Sequence, residues 1–438
     1  FDDLWIDEIA TFWISDPKLS LEESHTNHKS LEQIPFLFNF IVKIFYKTFG
    51  YKIEISRYLP FLFSFFSILT VSYISKLISK NYGFIFTSFL ISYNIFLIGY
   101  SQELRVYSAL FFFNSISIIF FLKCFNKNKI FNLIFFNIFT SISILLHPFS
   151  IILLMSYLTV LIFFKNVTYR AMKLSLVVLI IFSIVFYYHF INASPSVAPS
   201  WILQPDLKFF TNFYFSKFFG SRLIGMIHLL ILFYLIVKYF KQIIFDKKLL
   251  FFLILLIYSY LFPLLYGYLF EPILIPRYII FVLIPIIVLM THFIYELKTI
   301  KKNILIFLVF LITIGNLLTE QTVKQLYQER AIYKPEFNKA LLIIEDSKYK
   351  NFSIKVDKGV KEFSATTWES AVKHYLVFLI SKNNLDIIYR NMNEVADEHT
   401  WIFCIHDLNQ NKCKTPVNFK SEKVVKLNRL DLILAKSK

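Results

Sequence analysis

Four carboxylates stand close together at the beginning of the chain, and their types and spacing could do chemistry. They are Asp2, Asp3, Asp7 and Glu8. Asp3 and Asp7 would share one face of a helix, whereas Glu8 would point about 100° away from Asp7. A positioned carboxylate can accept the proton of an attacking hydroxyl group. The pattern predicts Asp7 as such a base; the structural alternative is an acidic turn that caps a helix over residues 9–14.

Two arginines could hold a phosphate group. Arg105 lies in the segment Tyr100-Ser-Gln-Glu-Leu-Arg-Val-Tyr107, and Arg277 lies in Pro276-Arg-Tyr278. The planar guanidinium group binds phosphate oxygens through two parallel hydrogen bonds. The structural alternatives are a salt-bridged hairpin cap, in which Glu103 pairs with Arg105, and for Arg277 an anchor that reaches the lipid head groups.

Three histidines are further candidates. His147 stands directly before a proline and could be a ligand or an acid–base group, although a single histidine at such a place is more often structural. His25 and His28, with Glu22 and Glu23 nearby, could bind a divalent metal. They have no recognised ligand spacing, so a solvated loop is the favoured interpretation and no metal is predicted firmly.

The composition is that of a polytopic membrane protein. The chain has 438 residues, of which 57% are hydrophobic and 17% charged, and its mean hydropathy is +0.59. Soluble proteins have about 25% charged residues. The net charge of +17 fits basic cytoplasmic loops and requires no nucleic acid partner. With only 8 glycines, the chain has no nucleotide-binding fingerprint.

Long apolar runs predict about ten membrane crossings, each about 20 residues long. They lie near 57–79, 83–100, 106–123, 130–148, 149–164, 174–191, 222–240, 249–269, 277–296 and 303–319. Every second connection is rich in lysine and arginine, which places those connections in the cytoplasm. Residues 1–56 and everything after 319 are then outside. Because residue 1 is expected to lie inside the native gene product, an additional upstream span would make eleven.

The polar ends of the chain complete the organisation. Residues 1–56 form a first outer region, with a loop over 16–33 and a helix over 34–49. Asn39, Lys43 and Lys47 form one polar stripe on that helix, which predicts that it lies in the membrane interface.

Residues 320–438 are predicted to form a small outer α/β domain after the membrane bundle of 57–319. Helices are expected from Pro335 to 346 and over 368–379, and strands near 352–356, 385–389, 400–406 and 423–435. Cys404 and Cys413 have a spacing that suits a disulfide in an oxidising compartment.

The order of these motifs resembles a known family. Along the chain come Asp7-Glu8, a helix ending in Phe49-Gly50, Arg57-Tyr-Leu-Pro60, the Tyr100–Tyr107 segment, His147, Pro276-Arg-Tyr278 and the outer α/β domain. This order is similar to that of the GT-C glycosyltransferases, specifically the bacterial relatives of protein O-mannosyltransferases and of aminoarabinose or galacturonic-acid transferases.

The resemblance implies an inverting transfer of a sugar from a polyprenyl-phosphate carrier. The acceptor would be a lipid, a glycan or a protein on the outer face of the bacterial inner membrane. Asp7 would be the base with Glu8 beside it, and Arg105 and Arg277 would contact the donor phosphate. Further candidates for the site are Glu103, His147, Arg57 and Asp3. Where many relatives have His-Pro-Pro-Leu-Tyr, this chain has Gln33-Ile-Pro-Phe-Leu37, with His28 as the candidate substitute.

Two other functions remain open at this stage. A flippase or transporter of lipid-linked glycans should have charged groups or Gly/Pro breaks near the bilayer centre. The predicted spans are nearly free of ionisable residues, which favours chemistry at one face. A glycan polymerase or ligase would use the same lipid partner, but residues 192–221 provide only Arg222 at their edge.

The orientation predicts where a thiol reagent reaches the chain. Cysteines introduced singly over residues 16–30 should react with a membrane-impermeant maleimide applied from outside, because the basic connections hold the opposite face in the cytoplasm. Labelling only when the reagent is given access to the cytoplasmic face would show that the topology is the opposite of the predicted one.

Overall fold

The computed structural model describes most of the chain and divides it into two compact units. The first comprises Phe1–Gln33, Asn39–Ser56 and Lys324–Lys438, and the second Ile34–Phe38 and Arg57–Val323. The first outer region and the C-terminal region therefore belong largely to one unit. The described residues are 3–32, 34–125, 130–164, 170–193, 202, 204–205, 218–318, 334–356, 362–391, 399–405 and 415–437, with only the backbone of 189–193, 356 and 362–366.

Helices make up most of the described structure. The α-helices are α1 Ile6–Ile14, α2 Leu21–Leu31, α3 Leu37–Phe49, α4 Tyr58–Ser92, α5 Ile95–Ser101, α6 Tyr107–Cys124, α7 Ile130–Leu146, α8 Ser150–Phe163, α9 Arg170–Ala193, α10 Arg222–Lys238, α11 Phe240–Phe245, α12 Lys247–Leu269, α13 Leu283–Tyr295, α14 Thr299–Leu318, α15 Phe337–Glu345 and α16 Glu362–Asn383. A 3₁₀ helix, Pro276–Val282, leads directly into α13.

In the first unit, the ring of Phe12 joins α1 to its neighbours. It stacks on Tyr51 at a centroid distance of 4.2 Å and meets Phe378 of α16 edge-on at 5.2 Å. Tyr46 of α3 and Tyr375 of α16 meet the same ring edge-on. Aromatic pairs in such geometries add stabilisation beyond their buried area. This cluster therefore holds the acidic N-terminal helix against two segments that are distant in sequence.

A five-stranded sheet completes this unit. Its strands are β1 Asn351–Val356, β2 Ile388–Tyr389, β3 His399–Ile405, β4 Phe419–Leu427 and β5 Leu430–Ser437, in the order β2-β1-β3-β5-β4. β1 is parallel to β2 and β3, whereas β5 is antiparallel to β3 and β4. The single strand predicted over 423–435 was wrong. The run is a hairpin whose turn contains Arg429 at φ 49°, a conformation that apolar periodicity does not reveal.

The loop predicted over 16–33 was also wrong, because it contains α2. Ser20 caps this helix, accepting a hydrogen bond from the Glu23 backbone N–H at 3.1 Å. Glu23 in turn accepts from the Ser20 backbone N–H at 2.6 Å. This reciprocal pair is a capping box, which stabilises the start of a helix without requiring an apolar face. The polar composition of the segment indicated a loop, although its Ser-x-x-Glu pattern is typical of the start of a helix.

The polar stripe of α3 is largely buried in protein. Asn39 is 4% exposed and Lys43 is 2% exposed, whereas Lys47 is exposed. The Lys43 ammonium donates hydrogen bonds to the carbonyls of Asp16 and Leu19 and to Ser24 Oγ. The side chain of Lys43 thus ties α3 to the segment between α1 and α2.

In the second unit, α4 folds back on itself. The backbone leaves helical geometry at Ser79 and Lys80, and the hydroxyl groups of Ser72 and Ser88 hydrogen-bond at 2.7 Å. Sixteen residues of straight helix would separate these two by about 24 Å. The two arms are therefore antiparallel, as the separate spans predicted over 57–79 and 83–100 require. At Gly83 a Cβ would meet Ser79 Cβ at 2.7 Å, so only glycine allows this close approach.

The segment Pro276–Tyr295 lies at the centre of the second unit. In its most apolar stretch 89% of the residues are buried, whereas 11% are buried in the corresponding stretch of α14. Among the described residues, six helices are long and apolar enough to cross a membrane. These are Tyr58–Ser92, Tyr107–Cys124, Arg170–Tyr188, Lys247–Leu269, Pro276–Tyr295 and Thr299–Leu318, and Ile130–Leu146 and Ser150–Phe163 are shorter apolar helices. Each of the ten predicted runs coincides with helix, so the chain is a multi-pass helical protein, while the number of crossings stays a prediction.

Replacing Lys43 tests the burial of its ammonium group. We expect Lys43→Met to lower the free energy of unfolding by about 1–3 kcal/mol, because three acceptors, two of them in buried hydrogen bonds, lose their donor. Thermal unfolding of the detergent-solubilised chain would show a lower midpoint. Lys47→Met, one turn further along the same helix and exposed, is the control. Equal midpoints for the two variants would contradict the role given to Lys43.

Candidate functional site

The acidic residues of α1 occupy its first turn. Asp7 and Glu8 lie at the N-terminal end of the helix, where the helix dipole favours negative charge. Glu8 is buried, and its carboxylate accepts a hydrogen bond from the Trp5 backbone N–H at 3.2 Å. Asp7 is half-buried, and its carbonyl accepts from the Thr11 hydroxyl at 3.2 Å. The helix begins at Ile6 rather than after these residues, so Glu8 acts as a cap from inside the helix.

Asp3 anchors the chain to α15. Its carboxylate accepts hydrogen bonds from the backbone N–H of Asn338 at 3.0 Å and from the Asn338 side chain. The Tyr375 hydroxyl also lies within hydrogen-bond distance of this carboxylate, at 3.3 Å. Burial raises the pKa of Asp3, and these hydrogen bonds oppose the rise. Asp3 therefore accepts a hydrogen bond from a backbone N–H in the first turn of α15, which is a structural role.

A second polar cluster lies beside Phe12 and was not predicted. His374 Nε2 lies 2.9 Å from the Tyr51 hydroxyl and 3.4 Å from Asp16 Oδ2. The Tyr51 hydroxyl lies 3.0 Å from the Phe12 carbonyl oxygen, to which it donates. Asp16 also accepts from the Lys18 backbone N–H at 2.8 Å. No local motif signals this cluster, because His374 is more than 300 positions from its partners.

The metal candidates do not form a ligand cluster in the described residues. His28 is buried, and its Nδ1 lies 2.8 Å from the Asn39 side-chain amide, whereas His25 is exposed. No group of three or more His, Cys, Asp or Glu side chains suited to a metal occurs in the described part of the chain. A divalent metal stays a hypothesis without a site.

The structure describes one of the two cysteines of the predicted disulfide. Cys404 is fully buried in β3 and is disulfide-bonded, whereas Cys124 is a free thiol. Cys413 lies outside the described residues, so its pairing with Cys404 stays a prediction.

In the second unit the structure brings three predicted residues together around two tyrosines. The guanidinium of Arg277 lies 5.7 Å from the ring centroid of Tyr107 and 5.8 Å from that of Tyr278. The His147 ring lies 4.8 Å from the same Tyr278 ring and 6.2 Å from that of Tyr107. Arg105 and Arg277 both act electrostatically on His147. We call Arg105, Tyr107, His147, Arg277 and Tyr278 the arginine cluster.

The turn before α6 positions Arg105. Its backbone N–H donates to the Glu103 carbonyl at 2.7 Å, and the Ser108 hydroxyl donates to the Tyr100 carbonyl at 2.9 Å. Arg105 is only 6% exposed, whereas Glu103 is half-buried. Arg57 is half-buried directly before α4. A buried guanidinium held by a short turn, with a second beside aromatic rings, is suited to binding an anion, because cations and aromatic faces attract.

The fold matches a solved membrane protein. ArnT from Cupriavidus metallidurans in the apo state superposes with a TM-score of 0.62 over 99% of this chain and 94% of that chain, at 10% sequence identity. The chain has the fold of ArnT. The structure of the same ArnT bound to undecaprenyl phosphate gives a TM-score of 0.55 over 92% of this chain and 88% of that chain, at 11% identity.

The comparison with ArnT confirms the fold predicted from the sequence, an α-helical polytopic membrane protein with a small C-terminal α/β part. No family model and no curated protein sequence matches the chain. The similarity to ArnT is therefore carried by the arrangement of the helices rather than by the sequence.

The cluster around His374 should make the stability of the fold depend on pH. Burial lowers the pKa of His374, the Asp16 carboxylate opposes this, and Lys18 lowers it further. The folded chain thus favours the neutral ring, whereas the unfolded chain binds a proton near pH ~6.5. The stability that the neutral His374 contributes is fully present above that pH, and it is lost as the pH falls through the lower pKa of His374 in the folded state.

Thermal unfolding measured from about pH 7.5 to about pH 5 should therefore show a falling midpoint below about pH 6.5. His374→Gln should flatten this dependence. Asp16→Asn should steepen it, because the opposing carboxylate charge is gone. An unchanged profile in both variants would show that His374 does not control it.

Proposed function

We propose that the protein is an inverting glycosyltransferase that uses a polyprenyl-phosphate sugar as donor. The observation that carries the proposal is the arginine cluster, two arginines and a histidine around two tyrosine rings, in a chain with the fold of ArnT. ArnT is an aminoarabinose transferase, and one of its structures contains undecaprenyl phosphate. A donor of the same chemical class, a lipid phosphate, suits the charge of the arginine cluster here.

In this proposal, Arg105 and Arg277 bind the phosphate of the donor. Negative charge grows on this phosphate as its bond to the sugar breaks. Preorganised positive groups stabilise that charge most strongly where water is excluded. Arg105 is buried, and Tyr107 and Tyr278 flank the guanidinium of Arg277. The phosphate would then leave with the electron pair of the sugar–oxygen bond.

The acceptor proton is assigned to Asp7. The hydroxyl oxygen of the acceptor attacks the anomeric carbon from the face opposite the phosphate, so the configuration inverts in a single displacement. Asp7 accepts the proton that the hydroxyl loses. We prefer Asp7 to Glu8 and Asp3, because Glu8 caps its own helix and Asp3 binds the backbone of α15.

The reaction takes place, in this proposal, on the extracytoplasmic face of a bacterial inner membrane. The basic connections between spans support this orientation, because lysine and arginine are retained in the cytoplasm. The acceptor is a lipid, a glycan or a protein with a free hydroxyl group, and the donor sugar is a hexose or a pentose.

Replacing Asp7 tests the base directly. Membranes that contain wild type or Asp7→Asn would be supplied with radiolabelled polyprenyl-phosphate sugars and the transfer of label measured. We expect Asp7→Asn to lose about 10²-fold or more in rate while still binding the lipid, because asparagine keeps the size and cannot accept the proton.

Glu22→Gln is the matched control for this experiment, since Glu22 is an exposed carboxylate on α2. Full activity of Asp7→Asn would remove the catalytic assignment. Failure of wild type to transfer label from any such donor, together with movement of the lipid across vesicles, would favour a transporter instead.

A further inference from the structure

His147 has a fixed place in the second unit. It lies in the three-residue connection between the end of α7 at Leu146 and the start of α8 at Ser150, and it is 2% exposed. Its backbone N–H donates to the Ser143 carbonyl at 3.2 Å, and its carbonyl accepts from the Ser150 N–H at 3.1 Å. Both backbone groups are therefore held, so the position of the ring is set by the helix ends on either side.

The hydrogen bond at Nδ1 of His147 determines which ring nitrogen carries the proton. His147 Nδ1 lies 3.2 Å from the backbone nitrogen of Phe149 and accepts its N–H. A backbone N–H can only donate, so Nδ1 must present its lone pair. A neutral imidazole with a lone pair on Nδ1 carries its proton on Nε2.

That Nε2 is buried and, within the described part of the chain, has no hydrogen-bond partner. A buried donor without a partner is unfavourable by an amount comparable to a lost hydrogen bond. Native structures retain such groups chiefly where they serve a ligand, a bound water or a reaction. The ring stands between Tyr278 and Phe149, with centroid distances of 4.8 Å and 5.5 Å, and next to the tyrosines that flank Arg277.

The charges nearby exclude the other uses of a histidine. Burial favours the neutral form of the ring, and the positive charges of Arg277 and Arg105 add to that preference. The same two charges would repel a divalent cation, and a metal would need the lone pair that Nε2 lacks in this tautomer. A neutral N–H donor beside two guanidinium groups matches an anion with several acceptor oxygens.

We propose that His147 Nε2–H donates a hydrogen bond to a phosphate oxygen of the donor lipid, completing an anion site with Arg105 and Arg277. This inference rests on the proposed function, in which those arginines bind that phosphate. His147 is then neither the acid–base group nor the metal ligand that its sequence position allowed. It adds a hydrogen bond whose strength grows with the charge on the departing phosphate and adds no third positive charge.

Binding of radiolabelled undecaprenyl phosphate to the purified full chain in detergent tests this role. Two variants are matched in size. His147→Gln keeps a neutral N–H donor, and His147→Phe keeps a ring and removes the donor. We expect His147→Phe to bind about tenfold more weakly and His147→Gln to stay near wild type.

Competition with undecaprenol and with inorganic phosphate separates the sources of binding. Undecaprenol should bind wild type and His147→Phe equally, because it has no phosphate. Inorganic phosphate at the same site should compete with the labelled lipid and should compete less well in His147→Phe. If undecaprenol also loses affinity in His147→Phe, the substitution has disturbed the lipid site generally and the proposal is overturned.

The tautomer and the protonation of His147 give readouts that a structural role would not move. In ¹⁵N-histidine-labelled chain, the signal that disappears in His147→Gln should belong to an Nε2–H tautomer and should shift when undecaprenyl phosphate is added. The ratio of affinities of wild type and His147→Gln should be equal at about pH 6 and about pH 8, because the donor is neutral throughout. A proton on Nδ1, or a wild-type advantage that grows on acidification, would overturn the proposal.

Arg277→Gln separates this inference from the proposed function. Weak binding by Arg277→Gln with normal binding by His147→Phe would overturn the role of His147 alone. Normal binding by both variants would remove the arginine cluster as the phosphate site, and the proposed function would fail with it.

Discussion

The removal of positive charge from water is the constraint on which the arrangement of both units depends. A buried cation is stable only where hydrogen-bond acceptors or polarisable groups replace its hydration shell. In the first unit, Lys43 has this compensation in the carbonyls of Asp16 and Leu19 and in the Ser24 hydroxyl. In the second, Arg277 is half-buried, and its guanidinium lies beside the faces of two tyrosine rings. The first environment surrounds an ammonium group with fixed hydrogen-bond acceptors, whereas the second places a guanidinium group beside aromatic faces.

The same reasoning separates the carboxylates at the start of the chain. Asp3, Glu8 and Asp16 accept hydrogen bonds from the backbone N–H groups of Asn338, Trp5 and Lys18 respectively. Glu8 caps the start of α1, Asp16 stabilises the turn that follows its end, and Asp3 joins the segment before it to α15. Asp7 is half-buried in the first turn of the helix that they hold. The general base that we propose at Asp7 must keep its geometry through the reaction, and a helix anchored in this way would hold it in place.

The agreement of the fold with ArnT at 10% identity has a physical explanation. Within a bilayer the backbone must satisfy its own hydrogen bonds, so apolar runs of sufficient length become helices whatever their exact residues. Specific side chains matter where helices approach closely or fold back, as at Gly83 and Ser79 in α4. Elsewhere one apolar residue replaces another with little consequence. The abundance of phenylalanine in this chain is compatible with the shared fold for that reason.

The sequence alone determined the class of the protein, its apolar segments and most of its helices, because these follow from composition and from periodicities within a few turns. It also singled out Arg105, Arg277 and His147 by their positions at the ends of apolar runs. It misjudged α2, whose stability comes from a capping box in a polar segment, and the β4–β5 hairpin, whose turn depends on the backbone conformation of Arg429.

Only the tertiary structure decided what the individual polar side chains do. The contact of Asp3 with Asn338 and that of His374 with Tyr51 and Asp16 each join residues more than 300 positions apart. The proton of His147 is assigned by a hydrogen bond from Phe149, and its environment by residues of α6 and of the segment before α13. Local patterns reveal which residues are able to ionise or bind. Which of them are already engaged depends on partners that folding alone brings within hydrogen-bond distance.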